Sequence, residues 1–355
     1  MSQPAHVNRP TPAAVGYQMP AEWEPHRATW LSWPRRRQTW PGKFEPIPQV
    51  WATLAKTLAR FEPVEILAGG EEVLAEARAM VGDVPNVTLH DIPTNDAWAR
   101  DHGPIFLAGP HGAPPALVDW DYNAWGGKYR PFDQDNLVPR RIAELTGRRR
   151  FAPGVILEGG SIDVNGQGTV LAAEQCLLSA SRNPQVSRKE MERYLADYLG
   201  ARHVLWLHGD LVGDDTDGHV DQLARFVGPS TVVVAVEHDP ADVNYASLKA
   251  NLQRLSTMAD QDGRRLEVIP LRLPRPVVYA RQRLPASYAN FYIANGAVIV
   301  PQFADPADEE AIAVLTPLFP GRQVIGLPAV DLIWGLGAYH CVTQQEPSYS
   351  GRAYG

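Results

Sequence analysis

A chain of 355 residues, 45% hydrophobic and 21% charged, carries enough apolar material for one large globular domain or two small ones. Its 40 acidic against 33 basic side chains give a net charge of −7, which disfavours nucleic acid or an anionic membrane as partner and favours a small cation. The start of the chain lacks an apolar h-region and no stretch approaches ~18 consecutive apolar residues, so the expected address is the cytoplasm, where both cysteines stay free thiols.

From the N-terminus, "ATWLSWP" and "PVEILAGG" read as strands. "GPIFLAGPHGAPPALVDWDY", from Gly103, has two apolar runs flanking a glycine-containing turn, the pattern of a β-hairpin. A second hairpin reads "GSIDVNGQGTVLAAEQCLL" from Gly160, with Cys176 expected as a buried strand residue. The helix "SRKEMERYLADYLG" and the strand "RHVLWLHG" follow. The order then repeats: hairpin "VDQLARFVGPSTVVVAV", helix "DPADVNYASLKANLQRLSTMA", strand "RLEVIPL". It repeats again as "ANFYIANGAVIVPQF", "DPADEEAIAVLTPLF" and "RQVIGLP", with Asp or Ser near the helix starts as expected caps.

Hairpins therefore recur at intervals of roughly 60 residues, a spacing that invites a search for supersecondary repeats. Four units are clear, and a fifth can be assembled from the C-terminal "YHCVTQQ" and the N-terminal "ATWLSWP". The expected fold is α/β, a five-bladed pseudosymmetric α/β propeller whose ring is closed by the terminal segments. Residues 1–355 would form one catalytic domain with 1–18 and 348–355 peripheral. An ordinary α/β sandwich is the alternative.

Polar residues fall at equivalent places in these units. The turn "NDAWARDHGP" holds Trp98 and Asp101, and "LEGGSID" holds Glu158 ahead of two glycines that let the chain bend sharply. "HGDLVGDDTDGHVDQLARF" is the densest polar cluster, with Asp214, Asp215, Asp217, His219 and Asp221. His219 and Asp221, alternating along a strand-like stretch, would share a face. Cys341 occupies the last turn. Radial units would bring Asp101, Glu158, His219, Asp221 and Cys341 to one axis.

Other chemistries fit less well. "DDTDG" fails as an EF-hand loop, since Gly213 and Ala224 stand where acids are needed. Neither His-Glu-x-x-His nor paired cysteines mark a zinc site, and no Gly-x-Gly-x-x-Gly or Walker pattern marks a nucleotide site. No metal and no organic cofactor are expected. A thiol, an imidazole and three carboxylates do suit a guanidinium, whose paired N–H donors match carboxylates and whose carbon needs a strong nucleophile.

The stretches "MPAEWEPHRATWLSWP", "NDAWARDHGP", "YNAWGGKY", "EGGSIDVNGQGT", "DDTDGHVDQLARF", "SYANFYIANGAVIVPQF" and "HCVTQQEP" together resemble the bacterial peptidylarginine deiminase-like family, and among its members those that hydrolyse agmatine. The resemblance implies the five-bladed fold of guanidine-modifying enzymes, a cofactor-free hydrolysis of agmatine to N-carbamoylputrescine and ammonia, and Cys341 as nucleophile. It further implies His219 as general acid and base, Asp101 and Asp221 as a guanidinium clamp, and Glu158 as the acid that orients His219. For the substrate's far end the candidates are Asp215 as anion with Trp98 and Trp125 as walls. Two departures stand out: Gly335 to Tyr339 replace a glycine-rich run before His340, and Gln222 follows Asp221 where the family has Asn. A deiminase of peptidyl-arginine or another guanidine is one alternative, a non-catalytic propeller that binds a large partner the other. A homodimer is compatible with the chain, but nothing in it marks an interface.

Overall fold

The computed structural model describes residues 10–349, a mixed α/β fold in which five of the six sheets follow one plan. In four of these sheets a short antiparallel hairpin is extended by a parallel strand that enters after an intervening segment. They are Ile105–Leu107 with Ala116–Val118 and Arg149–Phe151, then Ile162–Val164 with Thr169–Ala173 and His203–Leu207. Ala224–Phe226 with Thr231–Val236 and Glu267–Arg272 form the third, and Tyr292–Ile293 with Ala297–Gln302 and Gln323–Pro328 the fourth.

The middle strand of each of these four sheets is apolar and almost wholly buried, because it is covered on both faces; Val232, Val233 and Val234 are all fully buried. The predicted hairpins are thus observed. The fifth sheet joins the ends of the chain. Thr343–Pro347 runs antiparallel to His26–Ser32, pairing Thr343 with Leu31 and Pro347 with His26, and Val64–Leu67 and Val87–His90 continue it in parallel. A two-stranded ribbon, Val278–Tyr279 with Gln282–Arg283, lies outside this plan and was not anticipated.

The helix Arg188–Leu199 starts with the capping box its sequence promises: Ser187 accepts from the Glu190 amide while Glu190 accepts from the Ser187 amide. The helices Tyr245–Thr257 and Ala307–Leu315 lack side-chain caps; Asp242 and Asp305 instead accept amides of Asn244 and Ala307 one step earlier, in the turns that lead in. One strand assignment is corrected. Thr169–Ala173 ends before Cys176, which sits in a single helical turn, Glu174–Leu177, where Glu, Gln and Leu favour helix and Gln175 can accept the Gly209 amide.

Residues 1–9 and 350–355, part of the segments expected to be peripheral, lie outside the described residues. Within 10–18, Gln18 bridges to Ala108, and the next amide, of Met19, donates to Leu199. Among the described residues no helix is long and apolar enough to cross a membrane. Trp33, Trp40 and Trp51 are completely buried in the largest apolar cluster, which also includes Trp98, Trp125 and Cys341.

Candidate active site

Cys341 lies two positions ahead of the last strand, behind the loop Gly335 to Tyr339. Leu336 takes φ 74° there, in the left-handed region, and Gly337 approaches Trp98 so closely that a Cβ would stand 2.5 Å from the indole. Asn290 fixes the loop's exit. Its Oδ1 accepts the amides of Ala338 and His340 at 3.2 and 3.1 Å, and its Nδ2 donates to the Cys341 sulfur at 3.1 Å. Nothing in the sequence singled out Asn290, which lies in the quoted "SYANFYIANG" but comes from another unit.

His219 and Asp221 do come together, though not as alternate residues of a strand. His219 is extended and caps a 3-10 turn, Val220–Gln222, which carries Asp221 round to the same cavity floor. Asp221 Oδ2 accepts from His340 Nδ1 at 2.7 Å and lies 3.5 Å from the Cys341 sulfur. His219 Nδ1 stands 3.6 Å from Asp101 Oδ1, and its Nε2 stands 4.0 Å from Glu158 Oε2. Both ring nitrogens and Asp221 Oδ1 are buried without a hydrogen-bond partner among the described residues. Buried polar atoms in native proteins are rarely left so, and His219 Nδ1 comes close to the Asp101 and Asp221 carboxylates at one point.

Gly160 marks that point. A Cβ on it would lie 2.6 Å from His219 Nδ1, 2.9 Å from Asp101 Oδ1 and 3.0 Å from Asp221 Oδ2. Its own amide donates to Asp101 Oδ1 at 2.9 Å, while the Trp125 indole N–H donates to Oδ2 at 3.0 Å. Trp125 is aimed by an unusual backbone: residues 124 to 127 all have positive φ, and for alanine and tryptophan this costs conformational energy that neighbouring contacts must offset. Glu158, fully buried, accepts from Arg182 Nε at 3.0 Å and from the Cys176 thiol at 3.6 Å.

Behind Asp221, His340 is held between two carboxylates, its Nε2 2.9 Å from Glu22 Oε2. Glu22 also pairs with Arg225 at 2.9 Å and Arg100 at 3.2 Å. Despite burial, which alone would raise it, the Asp221 carboxyl is held below its usual range by the hydrogen bond and charge of His340. Asp101 is pushed up to about 6 by burial, with Asp221 and Glu158 adding to the rise against the pull of His219. For His219 burial opposes protonation, but the carboxylates of Asp101, Asp221 and Glu158 win and raise its value.

Burial, then the charges of Asp221 and Asp101, drive the Cys341 thiol well above the ordinary value of 9.0. The free enzyme at neutral pH therefore holds a neutral thiol. Thiolate content should grow about tenfold per pH unit, so alkylation of Cys341 by iodoacetamide is expected to accelerate through pH 9 without levelling off. A plateau below pH 8, read by mass spectrometry of the Cys341 peptide, would contradict this.

The floor opens into a cavity of about 250 Å³ walled by Trp98, Trp125, Tyr129, Leu336 and Trp334, with Asp96, Asp215 and Thr216 among its polar lining. That is smaller than the ~300 Å³ at which pockets for drug-sized ligands begin. Asp215 lines it, and its carboxylate accepts from the Tyr129 hydroxyl. Trp98 and Trp125 are walls and core at once, 4% and 6% exposed. Asp96 was not assigned a role from sequence; burial lifts it to about 6 despite the Thr39 hydroxyl that bonds it at 2.7 Å.

Among the described residues, Glu158, Cys176 and His219 could direct ligand atoms to a metal, within 4.8 Å of one another. A dication there would sit against the buried Arg182 guanidinium, and burial, followed by the Glu158 charge, drives the Cys176 thiol well above its ordinary value. This donor set suits a hydrogen-bonded carboxylate better than a metal ligand.

A family model for Porphyromonas-type peptidyl-arginine deiminases matches residues 18–347. An agmatine deiminase of Pseudomonas aeruginosa (strain LESB58) is 41% identical over 362 aligned positions, covering 95% of this chain and 97% of that protein. One of Ectopseudomonas mendocina is 39% identical, covering 96% and 98%. A solved agmatine deiminase of Enterococcus faecalis superposes with TM-score 0.90 at 36% identity, covering 97% of this chain and 99% of that one. A substrate-bound agmatine deiminase of C. jejuni gives TM-score 0.85 at 30% identity, covering 93% and 96%.

Proposed function

Because the chain belongs to the Porphyromonas-type peptidyl-arginine deiminase family, we propose that it is an agmatine deiminase, releasing ammonia from the guanidine and leaving N-carbamoylputrescine. The observation that carries this is the convergence of Cys341, His219, Asp101, Asp221 and Glu158, of which Asp101 and Cys341 line an aromatic-walled cavity.

In this reading Asp221 and Asp101 receive the guanidinium N–H groups, which gives the unpartnered Asp221 Oδ1 its donor. The arriving cation stabilises the Cys341 thiolate that its acidic neighbours otherwise suppress. The sulfur attacks the guanidinium carbon, a C–S bond forms, and as the C–N bond breaks the His219 imidazolium protonates the departing ammonia. Neutral His219 then takes a proton from water, whose oxygen attacks the same carbon. A C–O bond forms, the C–S bond breaks, and the O–H proton of the collapsing adduct passes to the sulfur, restoring the thiol whose first proton had left to solvent. Glu158 holds a guanidinium nitrogen on the far side and steadies His219. No step calls for a metal or an organic cofactor. The five similar sheets, read as blades around this axis with the fifth closed by the two ends of the chain, would explain why each supplies a turn to one site.

Two acids compete for the substrate's ammonium end, Asp215 and the deeper Asp96. Asp215 is the more accessible of the two, half-buried where Asp96 is 4% exposed. Asp215→Asn is expected to raise KM for agmatine about tenfold with kcat nearly unchanged, since the unreacting end contributes mostly uniform binding. Steady-state constants for the variant, with an unchanged KM, would transfer the role to Asp96. Ammonia release from agmatine, free arginine and an arginyl peptide tests the function itself. A wild type that prefers the peptide would replace agmatine as substrate and leave the deiminase chemistry standing.

A further inference from the structure

Among the described residues neither ring nitrogen of His219 has a hydrogen-bond partner, so Glu158, 4.0 Å away, steadies it by charge alone and its place is set mainly by its backbone and by packing. The backbone is anchored from one side: the His219 amide donates to Thr216 Oγ1 at 3.0 Å. Thr216 in turn is fixed by Asp214, which accepts both its amide and its hydroxyl, at 2.9 and 2.6 Å. Asp217 follows with φ 65°, a left-handed conformation that a non-glycine residue keeps only when its surroundings hold it there.

One side chain reaches both halves of this arrangement. Arg182, whose side chain is 1% exposed, donates Nε to Glu158 Oε1 at 3.0 Å, Nη2 to the Thr216 carbonyl at 2.7 Å, and Nη1 to Asp217. Lys128 holds the other Asp217 oxygen at 2.8 Å from the exposed side. The planar guanidinium has donors at fixed angles, so it acts as a gauge between the Glu158 carboxylate and the loop carrying His219 and Asp215.

We propose that Arg182 is a positioning residue for the deimination reaction, setting the separation of Glu158 and His219 and the seat of the Asp215 loop; the kinetic half of this rests on the function proposed above. Arg182 does not touch the substrate. A lysine could keep one of its three contacts and the charge, whereas a glutamine keeps neither the charge nor the reach.

The test uses Arg182→Lys, Arg182→Gln and Asp217→Asn, with kinetics on agmatine and amide hydrogen exchange of the peptide spanning residues 214 to 219. Arg182→Gln is expected to lower kcat at least about a hundredfold and to speed exchange in that peptide, with Arg182→Lys recovering part of kcat. Asp217→Asn, which spares the Glu158 contact, should speed exchange and raise KM severalfold while moving kcat less than Arg182→Gln does. Wild-type exchange at 214 to 219 in Arg182→Gln, or a kcat within twofold of wild type, overturns the proposal. Should the wild type release no ammonia from agmatine, the functional reading falls, and the exchange results still decide whether Arg182 gauges the loop.

Discussion

Cys341→Ser is expected to lower agmatine turnover at least about a thousandfold, since a serine hydroxyl, far less acidic than a thiol, cannot form the anion that attacks a delocalised guanidinium carbon. The change removes little volume, and the Asn290 amide that donates to the sulfur can donate to an oxygen instead, so stability should be nearly kept. Wild-type enzyme quenched during turnover should carry an amidino adduct on the Cys341 peptide. Appreciable activity in Cys341→Ser, measured by ammonia release, would sink the covalent route. Cys176→Ser is the control: its thiol touches Glu158 rather than the cavity, so no adduct should form there.

Asp221→Asn should have the next largest effect. It keeps the shape but withdraws a charge-assisted hydrogen bond worth about 1.5 to 3 kcal/mol, equivalent to a loss of roughly ten- to 150-fold in kcat/KM. The loss should exceed that of Asp101→Asn. His340 holds the Asp221 carboxylate ionised, against burial, whereas burial raises Asp101 to about 6. Of the two carboxylates proposed as the clamp, Asp221 is the one with an oxygen 3.5 Å from the sulfur. Steady-state kinetics of both variants at neutral pH decide the order, and a kcat/KM for Asp221→Asn within threefold of wild type would remove it from the clamp.

The turns that carry these residues could be read from sequence because each combines a glycine or a short polar run with flanking apolar strands, a local signal. Cys341, Glu158 and Asp101 stand beside such breaks in the pattern. What supports them could not be read so. Asn290 comes from another unit than Cys341, Glu22 lies 318 positions from the His340 it holds, and Arg182 ties its own unit's Glu158 to Thr216 and Asp217 of the next; a buried hydrogen bond between such segments leaves no periodicity in the chain. His219 was placed on the correct face for an incorrect reason: alternation suggested a strand, but a 3-10 turn delivers Asp221. Cys176 was misread because "LAAEQCLL" continues an apolar run past the point where the sheet ends; the helix-favouring Glu174, Gln175 and Leu177 form a single turn there, in which Gln175 accepts the Gly209 amide.

The seam between His26–Ser32 and Thr343–Pro347 bears on how the protein is made. A ribosome delivers the chain from its N-terminal side, so His26–Ser32 is made well before its antiparallel partner Thr343–Pro347 and waits for it while the intervening sheets are synthesised. Until that strand docks, Cys341 has no fixed position, although Asp101, Glu158, His219 and Asp221 are already outside the tunnel. Closing so long a loop is slow in folding terms, because contacts between distant segments form only after the intervening chain has been ordered. A polypeptide released before Cys341 is made would hold the acids and the imidazole without the proposed nucleophile, and on that reading catalytic competence arrives together with Thr343–Pro347.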